Sequence, residues 1–370
     1  MNSRLLEVIA RAPGKVMLAG EYGVLQGGPA LLAAVDRQAR VELAPVAGPV
    51  GTFRAPDLGL DGEEFSIQEG RVRWLVPETP DRLGLTAEVF EALIKDFGAG
   101  HFTTNSLDVR ILTGELFERT STGKRVKLGL GSSAAVSAAM FTALASGLTP
   151  GRAIDPTAAL GRILPAYRRA QGGVASGADL AASLAGGVIE YRLERDRPAI
   201  CRLDWPDHFD IRFVWTGRAA STPNLVAGFE SWRRRGGEPA RLRIARLAEQ
   251  GAAVIAAWRD SDLKGLADAL SGHCGLLEAL EKDIGEPILG AEHRALGRLA
   301  ERHGVCYKSC GAGGDVGMAL ADDPGRLERF ERAARSAGFR PLELNLEMAG
   351  AGTLPARLTA KEQANSGPDT

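Results

Sequence analysis

A glycine- and serine-rich run stands directly before an alanine-rich segment typical of a helix: VKLGLGSSAAVSAAMFTALASG. The first N–H groups of a helix have no partner within it and carry a partial positive charge. Gly129 and Gly131 allow the backbone to approach a phosphate closely, and Ser132 and Ser133 offer hydroxyls to phosphate or Mg²⁺. With Lys127 at its entrance, the run predicts a triphosphate-binding site. The alternative is an ordinary capped helix packed closely against a sheet.

Two further loops of similar character lie far away in the sequence. APGKVMLAGEY has Lys15 just after a Pro-Gly turn, and KSCGAGGDVG has three glycines around Ala312 whose backbone N–H groups can form an anion-binding nest. Taken singly, the first is better interpreted as an exposed turn lysine, and the second is interpreted equally well as a tight turn. Three such loops in one chain are better explained by a shared anionic ligand than by folding alone.

The overall composition is that of a globular protein without a strong charge bias. The 370 residues include 45 basic and 46 acidic side chains, so nothing indicates binding to nucleic acid or to an acidic membrane. Four cysteines without a CxxC pair do not form a disulfide framework and favour a reducing, cytoplasmic location. We expect no signal peptide, and no apolar run is long enough to span a membrane.

The elements that must position these loops can be read from the hydrophobic pattern. The apolar runs VMLA and ALLAAV predict buried strands on either side of the first loop, and periodicity predicts a helix over 85–97. FERTSTGKRVKLGLG predicts a hairpin that leads into the second loop, and DPTAALGRILPAYRRAQGG predicts a helix interrupted near Pro165.

The pattern of strands and helices restarts after about Cys201, at IRFVWTG. We therefore predict an N-terminal domain over 1–205 and a C-terminal domain over 206–357. The polar tail 358–370 is expected to be disordered.

The three loops, in this order, resemble the motifs of the GHMP superfamily of small-molecule kinases, and the resemblance extends over about residues 8–355. It implies an α+β fold with a ribosomal protein S5 domain 2-like N-terminal domain and a ferredoxin-like C-terminal domain. ATP, Mg²⁺ and a small acceptor molecule would bind in the cleft between them. The resemblance implies no nucleic acid or membrane partner, and a monomer or homodimer.

Within this superfamily, four features resemble the phosphomevalonate kinase branch. Tyr22 stands in GEY where mevalonate kinases usually have histidine. VASGADLAASLAGGVIEY resembles the segment that carries the active-site aspartate in that branch, here Asp179. VWTGRAASTPNLV and the Asp315 of GAGGD complete the resemblance. The third motif has one glycine fewer than usual, and Ala175 replaces a common glycine. Mevalonate kinase, a sugar kinase, a decarboxylase of the same superfamily and a non-catalytic relative are the alternatives.

The resemblance assigns roles to individual residues. Lys15 would neutralise charge on the transferring group or acceptor oxygen, and Asp179 would orient Lys15 or contact the metal. The residues implied to hold the nucleotide are Lys127, Gly129, Leu130, Gly131, Ser132, Ser133 and Ala134, with Ser133 also implied as a Mg²⁺ ligand. The candidates on the acceptor side are Tyr22, Ser176, Arg218, Ser221 and Ala312.

The chemistry of the acceptor also bears on this choice. An alcohol acceptor gains from a general base, whereas a phosphomonoester, with a second pKa of about 6, is mostly ionised at neutral pH and instead needs positive charge. The mevalonate kinase pattern has a metal-binding glutamate eleven residues before the aspartate, where this chain has Arg168, followed by Arg169. These arginines and Arg218 favour an anionic acceptor, the alternative being that they are solvated surface residues.

Overall fold

The computed structural model describes residues 5–102, 105–119, 123, 125–195, 197–206, 208–218 and 222–354. Within these ranges the strands are β1 (Val8–Ala19), β2 (Ala30–Ala47), β3 (Val50–Ala55), β4 (Leu60–Gln68), β5 (Arg71–Trp74), β6 (Asn105–Leu112), β7 (Phe117–Arg119), β8 (Arg125–Lys127), β9 (Val188–Glu194), β10 (Arg197–Leu203), β11 (Asp210–Trp215), β12 (Cys306–Cys310), β13 (Val316–Ala321), β14 (Arg340–Leu342) and β15 (Gly352–Thr353).

The helices of the same ranges are α1 (Thr79–Leu83), α2 (Leu85–Phe97), α3 (Ser132–Leu148), α4 (Pro156–Ala170), α5 (Ala178–Ala185), α6 (Thr222–Arg235), α7 (Gly237–Arg259), α8 (Leu263–Ile284), α9 (Gly290–Arg302) and α10 (Pro324–Ser336). Short 3-10 turns cover Gly23–Gln26, Pro56–Leu58, Ala99–His101 and Gly114–Leu116. None of the helices in the described ranges is both long and apolar enough to cross a membrane.

The first sheet supports the N-terminal half. Its strand order is β10-β9-β2-β6-β3-β4-β5, and β1 pairs antiparallel with β2 alongside this path. Helix α3 is buried along almost its whole length, because its alanines allow close approach to β1 and β2. The β1–β2 register shifts between Pro13 and Gly14, immediately before Lys15. Such a bulge re-aims the residues that follow it.

The second sheet is antiparallel, with the order β12-β13-β11-β14. This is the strand order of a ferredoxin-like fold, and it confirms the α+β architecture expected from the resemblance. One face packs against α9 and α10 through residues such as Leu296 and Phe330. The other face, which includes Phe213 and Met318, joins the hydrophobic core of the N-terminal half.

The two halves are connected by more than one crossing of the chain. The predicted division at 205/206 falls between β10 of the first sheet and β11 of the second, and it stays a prediction. Near its C-terminal end the chain returns to the first sheet, where β15 pairs with β1 and Leu346 bridges to Val35. The predicted tail 358–370 lies outside the described residues.

The local predictions have mixed outcomes. Helix α2 has the predicted bounds, and β7 and β8 form the predicted hairpin. The interruption at Pro165 is wrong, because α4 continues through it. The missing N–H of Pro165 removes one helical hydrogen bond, but buried residues on both sides, such as Ile163 and Tyr167, keep the helix packed.

Candidate active site

A cleft of about 1240 Å³ brings the three loops together. The predicted site residues that line it are Lys15, Tyr22, Lys127, Gly129, Leu130, Gly131, Ser132, Ser133, Ser176, Asp179, Arg218 and Ala312. Ala134 is fully buried in α3 behind this lining. Ser221 lies outside the described residues. Loops separated by up to about three hundred positions therefore converge on one site.

The second loop forms a cradle at the start of α3. Gly131 is the N-cap and supplies no side chain to the first N–H groups of the helix. Gly129 and Gly131 both have φ of 76°, a conformation that side chains disfavour. A Cβ on Gly131 would lie 2.9 Å from Lys15 Cε, and one on Gly129 would collide with the Asp315 side chain. Exposed helix N–H groups beside a lysine suit a phosphate chain.

Lys15 reaches the cradle from β1. Its backbone N–H donates to the carbonyl oxygen of Leu130 at 2.8 Å, which ties the strand to the second loop. Its side chain runs over Gly131. The bulge before Lys15 and the missing side chain of Gly131 together place this cation at the mouth of α3.

Asp179 stands in the first turn of α5 and is half-buried. Its Oδ2 accepts a 2.6 Å hydrogen bond from the Tyr167 hydroxyl, and its Oδ1 accepts from Leu180 N at 2.9 Å. Burial, followed by the nearby Asp179 carboxylate, raises the pKa of Tyr167 well above its usual value. Tyr167 therefore stays protonated, and its hydroxyl is the donor of this hydrogen bond.

The segment before Asp179 is held by side chains from α4 and β9. The Tyr191 hydroxyl donates to Ser176 O at 2.6 Å, and Arg168 Nε donates to Ala175 O at 2.8 Å. Arg168 thus braces this loop and is not among the residues that line the cleft. Arg169 is exposed and also does not line it.

The acceptor-side candidates differ in how they are held. The Tyr22 hydroxyl donates to Ala312 O at 2.7 Å, so it is engaged by the protein itself. Arg218 lies at the rim with a side chain that is 72% exposed, and its Nη1 is 3.1 Å from Glu292 Oε1.

A buried charged cluster beneath the third loop was not predicted. Glu21, at 1% exposure, accepts from Lys308 Nζ and from Gly311 N, the latter at 3.1 Å, and its Oε2 is 2.8 Å from His273 Nε2. Burial opposes ionisation of Glu21, but Lys308 and His273 outweigh it and lower its pKa to about 2. Burial likewise opposes the charge of Lys308, yet Glu21 raises its pKa. The signal in the sequence was a lysine in the strand CYKSC, between Cys306 and Cys310.

Comparison with known proteins agrees with this geometry. Residues 85–187 match the family model described as GHMP kinases N terminal domain. The chain therefore resembles the GHMP kinases, in keeping with its three loops. A phosphomevalonate kinase from Streptomyces sp. (strain CL190) is 28% identical, over 93% of this chain and 98% of that protein. A mevalonate kinase from Thermococcus sibiricus is 26% identical over the same shares.

The fold of this chain is also found in solved structures. Streptococcus pneumoniae phosphomevalonate kinase, solved in complex with phosphomevalonate and AMPPNP, superposes with a TM-score of 0.72 at 22% identity. The match covers 92% of this chain and 99% of that one.

Proposed function

We propose that this protein is a GHMP kinase that transfers the γ-phosphoryl group of ATP to the phosphate of phosphomevalonate, giving diphosphomevalonate and ADP in the mevalonate route to isoprenoids. The observation that carries the proposal is the meeting of Lys15, Asp179 and the open N-terminus of α3 in one cleft. Phosphoryl transfer depends mainly on positioning and on neutralising charge, which these groups supply. A cytoplasmic location is part of the proposal, supported by four free cysteines.

In this mechanism the nucleotide phosphates lie on the backbone N–H groups of residues 129–133, with Lys127 alongside. An ionised oxygen of the acceptor phosphate attacks the γ-phosphorus, and the bond to the bridging β,γ-oxygen breaks, so that ADP leaves with the electron pair. Lys15 neutralises charge on the transferring group as the new bond forms.

The site also offers the donors that Mg²⁺ prefers. Magnesium takes oxygen ligands, commonly one or two from the protein with phosphate and water oxygens completing the set. The Ser133 hydroxyl and Asp179 carboxylate both line the cleft, so the residues present fit this ion and would hold it. When bound, Mg²⁺ neutralises charge on the nucleotide phosphates.

The hydrogen bonds of Asp179 support a phosphate acceptor over an alcohol. Both carboxylate oxygens accept from neutral donors, Tyr167 OH and Leu180 N. Each oxygen that accepts a hydrogen bond has one lone pair fewer with which to take a proton from an acceptor hydroxyl. A phosphomonoester needs no base, so this arrangement suits an acceptor that is already ionised.

Mevalonate kinase is the second candidate, because the Thermococcus sibiricus relative matches as much of this chain as the phosphomevalonate kinase does. Purified protein with ATP should be tested against phosphomevalonate, mevalonate and sugars, with ADP formation measured. We expect ADP with phosphomevalonate; ADP with mevalonate alone would reject the proposed acceptor.

Variants test the assigned roles. Lys15→Ala and Asp179→Ala should each lower turnover by orders of magnitude, about a hundredfold or more, while leaving folding intact. Lys264→Ala, on the exposed face of α8 and away from the cleft, is the control and should retain full turnover. Unchanged turnover in both cleft variants would defeat the assignment.

A further inference from the structure

The first and third loops are joined by two consecutive side chains. Glu21 and Tyr22 follow β1 in the N-terminal half, but both are buried in the C-terminal half, at 1% and 3% exposure. Glu21 accepts from the backbone N–H of Gly311, and Tyr22 donates to the carbonyl of Ala312. Two successive backbone groups of the third loop are thus held from the other half of the molecule.

A charge network keeps Glu21 in this position. Lys308 is fully buried on β12, and its Nζ donates to Glu21 Oε1 and to the carbonyl of Ser309, the latter at 2.6 Å. His273, fully buried on α8, contacts the second carboxylate oxygen at 2.8 Å. An ionised carboxylate only accepts, so His273 Nε2 donates. Both oxygens of Glu21 therefore have fixed directions.

Tyr22 is also fixed in position, by its backbone conformation and by the packing of its ring. Its backbone has φ of 59°, which is uncommon for a residue with a side chain, and its ring packs on Phe229 with centroids 5.1 Å apart. Such a conformation persists only where its surroundings impose it.

We propose that Glu21, Lys308 and His273, together with Tyr22, are positioning residues that hold Gly311 and Ala312 at the acceptor side of the cleft. Lys308 and His273 do not line the cleft, so they act through the loop and not on a substrate. The inference rests on the proposed function in assigning this loop to the acceptor. The cradle at α3 is built by other residues, so nucleotide binding should be independent of the cluster.

The test uses the full chain with both charges replaced, Glu21→Met/Lys308→Met. Replacing a buried ion pair with apolar residues of similar volume is often tolerated. Removing only one partner leaves the other charge buried without a counter-charge, which destabilises the fold. The double variant should fold, yet it has no acceptor for the Gly311 N–H. We expect hydrogen exchange in segment 308–317 to accelerate by about tenfold, and the acceptor KM to rise by about tenfold.

Three controls test whether the effect of the double variant is confined to the third loop. Exchange in segment 129–140 and the Kd of an ATP analogue should stay within about twofold of the unmodified chain. Tyr307→Phe is the matched control, because its side chain lies on the opposite face of β12 and bonds His293 at 2.7 Å. That variant should lower the urea midpoint without changing the acceptor KM.

Positioning of the third loop and its link to the acceptor are tested by separate measurements. Wild-type exchange at 308–317 in the folded double variant would overturn the positioning role, and a wild-type KM would overturn its link to the acceptor. The exchange measurement needs no acceptor, so it decides positioning even if phosphomevalonate proves to be the wrong substrate. If the double variant does not fold, Tyr22→Phe removes only the bond to Ala312 O. It should raise the acceptor KM about threefold at unchanged nucleotide Kd, and an unchanged KM would overturn the inference.

Discussion

Two carboxylates line the same cleft and are held in opposite ways. Asp179 is half-buried and accepts from neutral donors of its own half, Tyr167 OH and Leu180 N. Glu21 is almost fully buried and accepts from charged Lys308 in the other half of the molecule. The hydrogen-bond partners of a carboxylate therefore determine its role. Glu21 is compensated by the protein, whereas Asp179 keeps a negative charge that a metal or Lys15 can use.

The largest expected effect is on stability. Glu21→Gln leaves Lys308 buried without a counter-charge, and breaking a buried pair in this way costs about 3–5 kcal/mol of unfolding free energy. Urea denaturation measures this loss. Glu21→Met/Lys308→Met is the control and should lose much less, because no charge is stranded. Equal losses of unfolding free energy in the two variants would contradict the conclusion that Lys308 needs Glu21 as its counter-charge.

Asp179→Asn should act on turnover instead. It removes the negative charge but keeps the shape, so kcat should fall by about a hundredfold to a thousandfold, comparable to loss of a preorganised electrostatic group. The unfolding free energy should change by no more than about 1 kcal/mol. Steady-state assay and urea denaturation on the same preparation separate the two effects. A stability loss as large as that of Glu21→Gln would show that Asp179, like Glu21, has a mainly structural role.

Lowering the pH should reduce the stability that the Glu21–Lys308 ion pair provides. Its pKa is lowered to about 2 in the folded protein from a usual 4.5, so its contribution is present above the unfolded value and is lost as pH falls through the folded one. The shift corresponds to about 3 kcal/mol between pH 5 and pH 2. The other titratable groups facing Glu21 are Lys308, Cys310, His273, Cys274 and Tyr22.

Unfolding free energy measured from pH 6 to pH 2 tests this directly. The wild-type chain should lose more stability than Glu21→Met/Lys308→Met, which has neither charge of the pair. Parallel curves for the two proteins would show that Glu21 does not titrate as described.

The smallest effect is expected from the hydrogen bond between Tyr167 and Asp179. Tyr167→Phe removes one hydrogen bond to Asp179 while the ring stays packed, which should lower kcat by about tenfold. Tyr307→Phe, a partly buried tyrosine whose hydroxyl bonds a neutral histidine, should leave kcat unchanged. An unchanged kcat in Tyr167→Phe would leave the hydrogen bond with a purely structural role.

The sequence predicted much of the fold and of the cleft lining, but not how its side chains are used. Helix α2, the hairpin before α3 and the three loops follow from spacing and local preference. Arg168 illustrates the limit: its position suggested an anion contact, yet its Nε donates to Ala175 O across a loop. No periodicity specifies which carbonyl a long side chain will reach.

Features that depend on neighbouring residues could be recognised from the amino-acid sequence alone. Gly129 and Gly131 were identifiable because a tight approach to a helix start needs backbone conformations that side chains oppose. Which carboxylate has a buried counter-charge depends on how the chain folds. Glu21 and Lys308 are 287 positions apart, and their pairing exists only because two sheets from different halves pack on one core. Burial and counter-charge are properties of that packing and leave no local pattern in the chain.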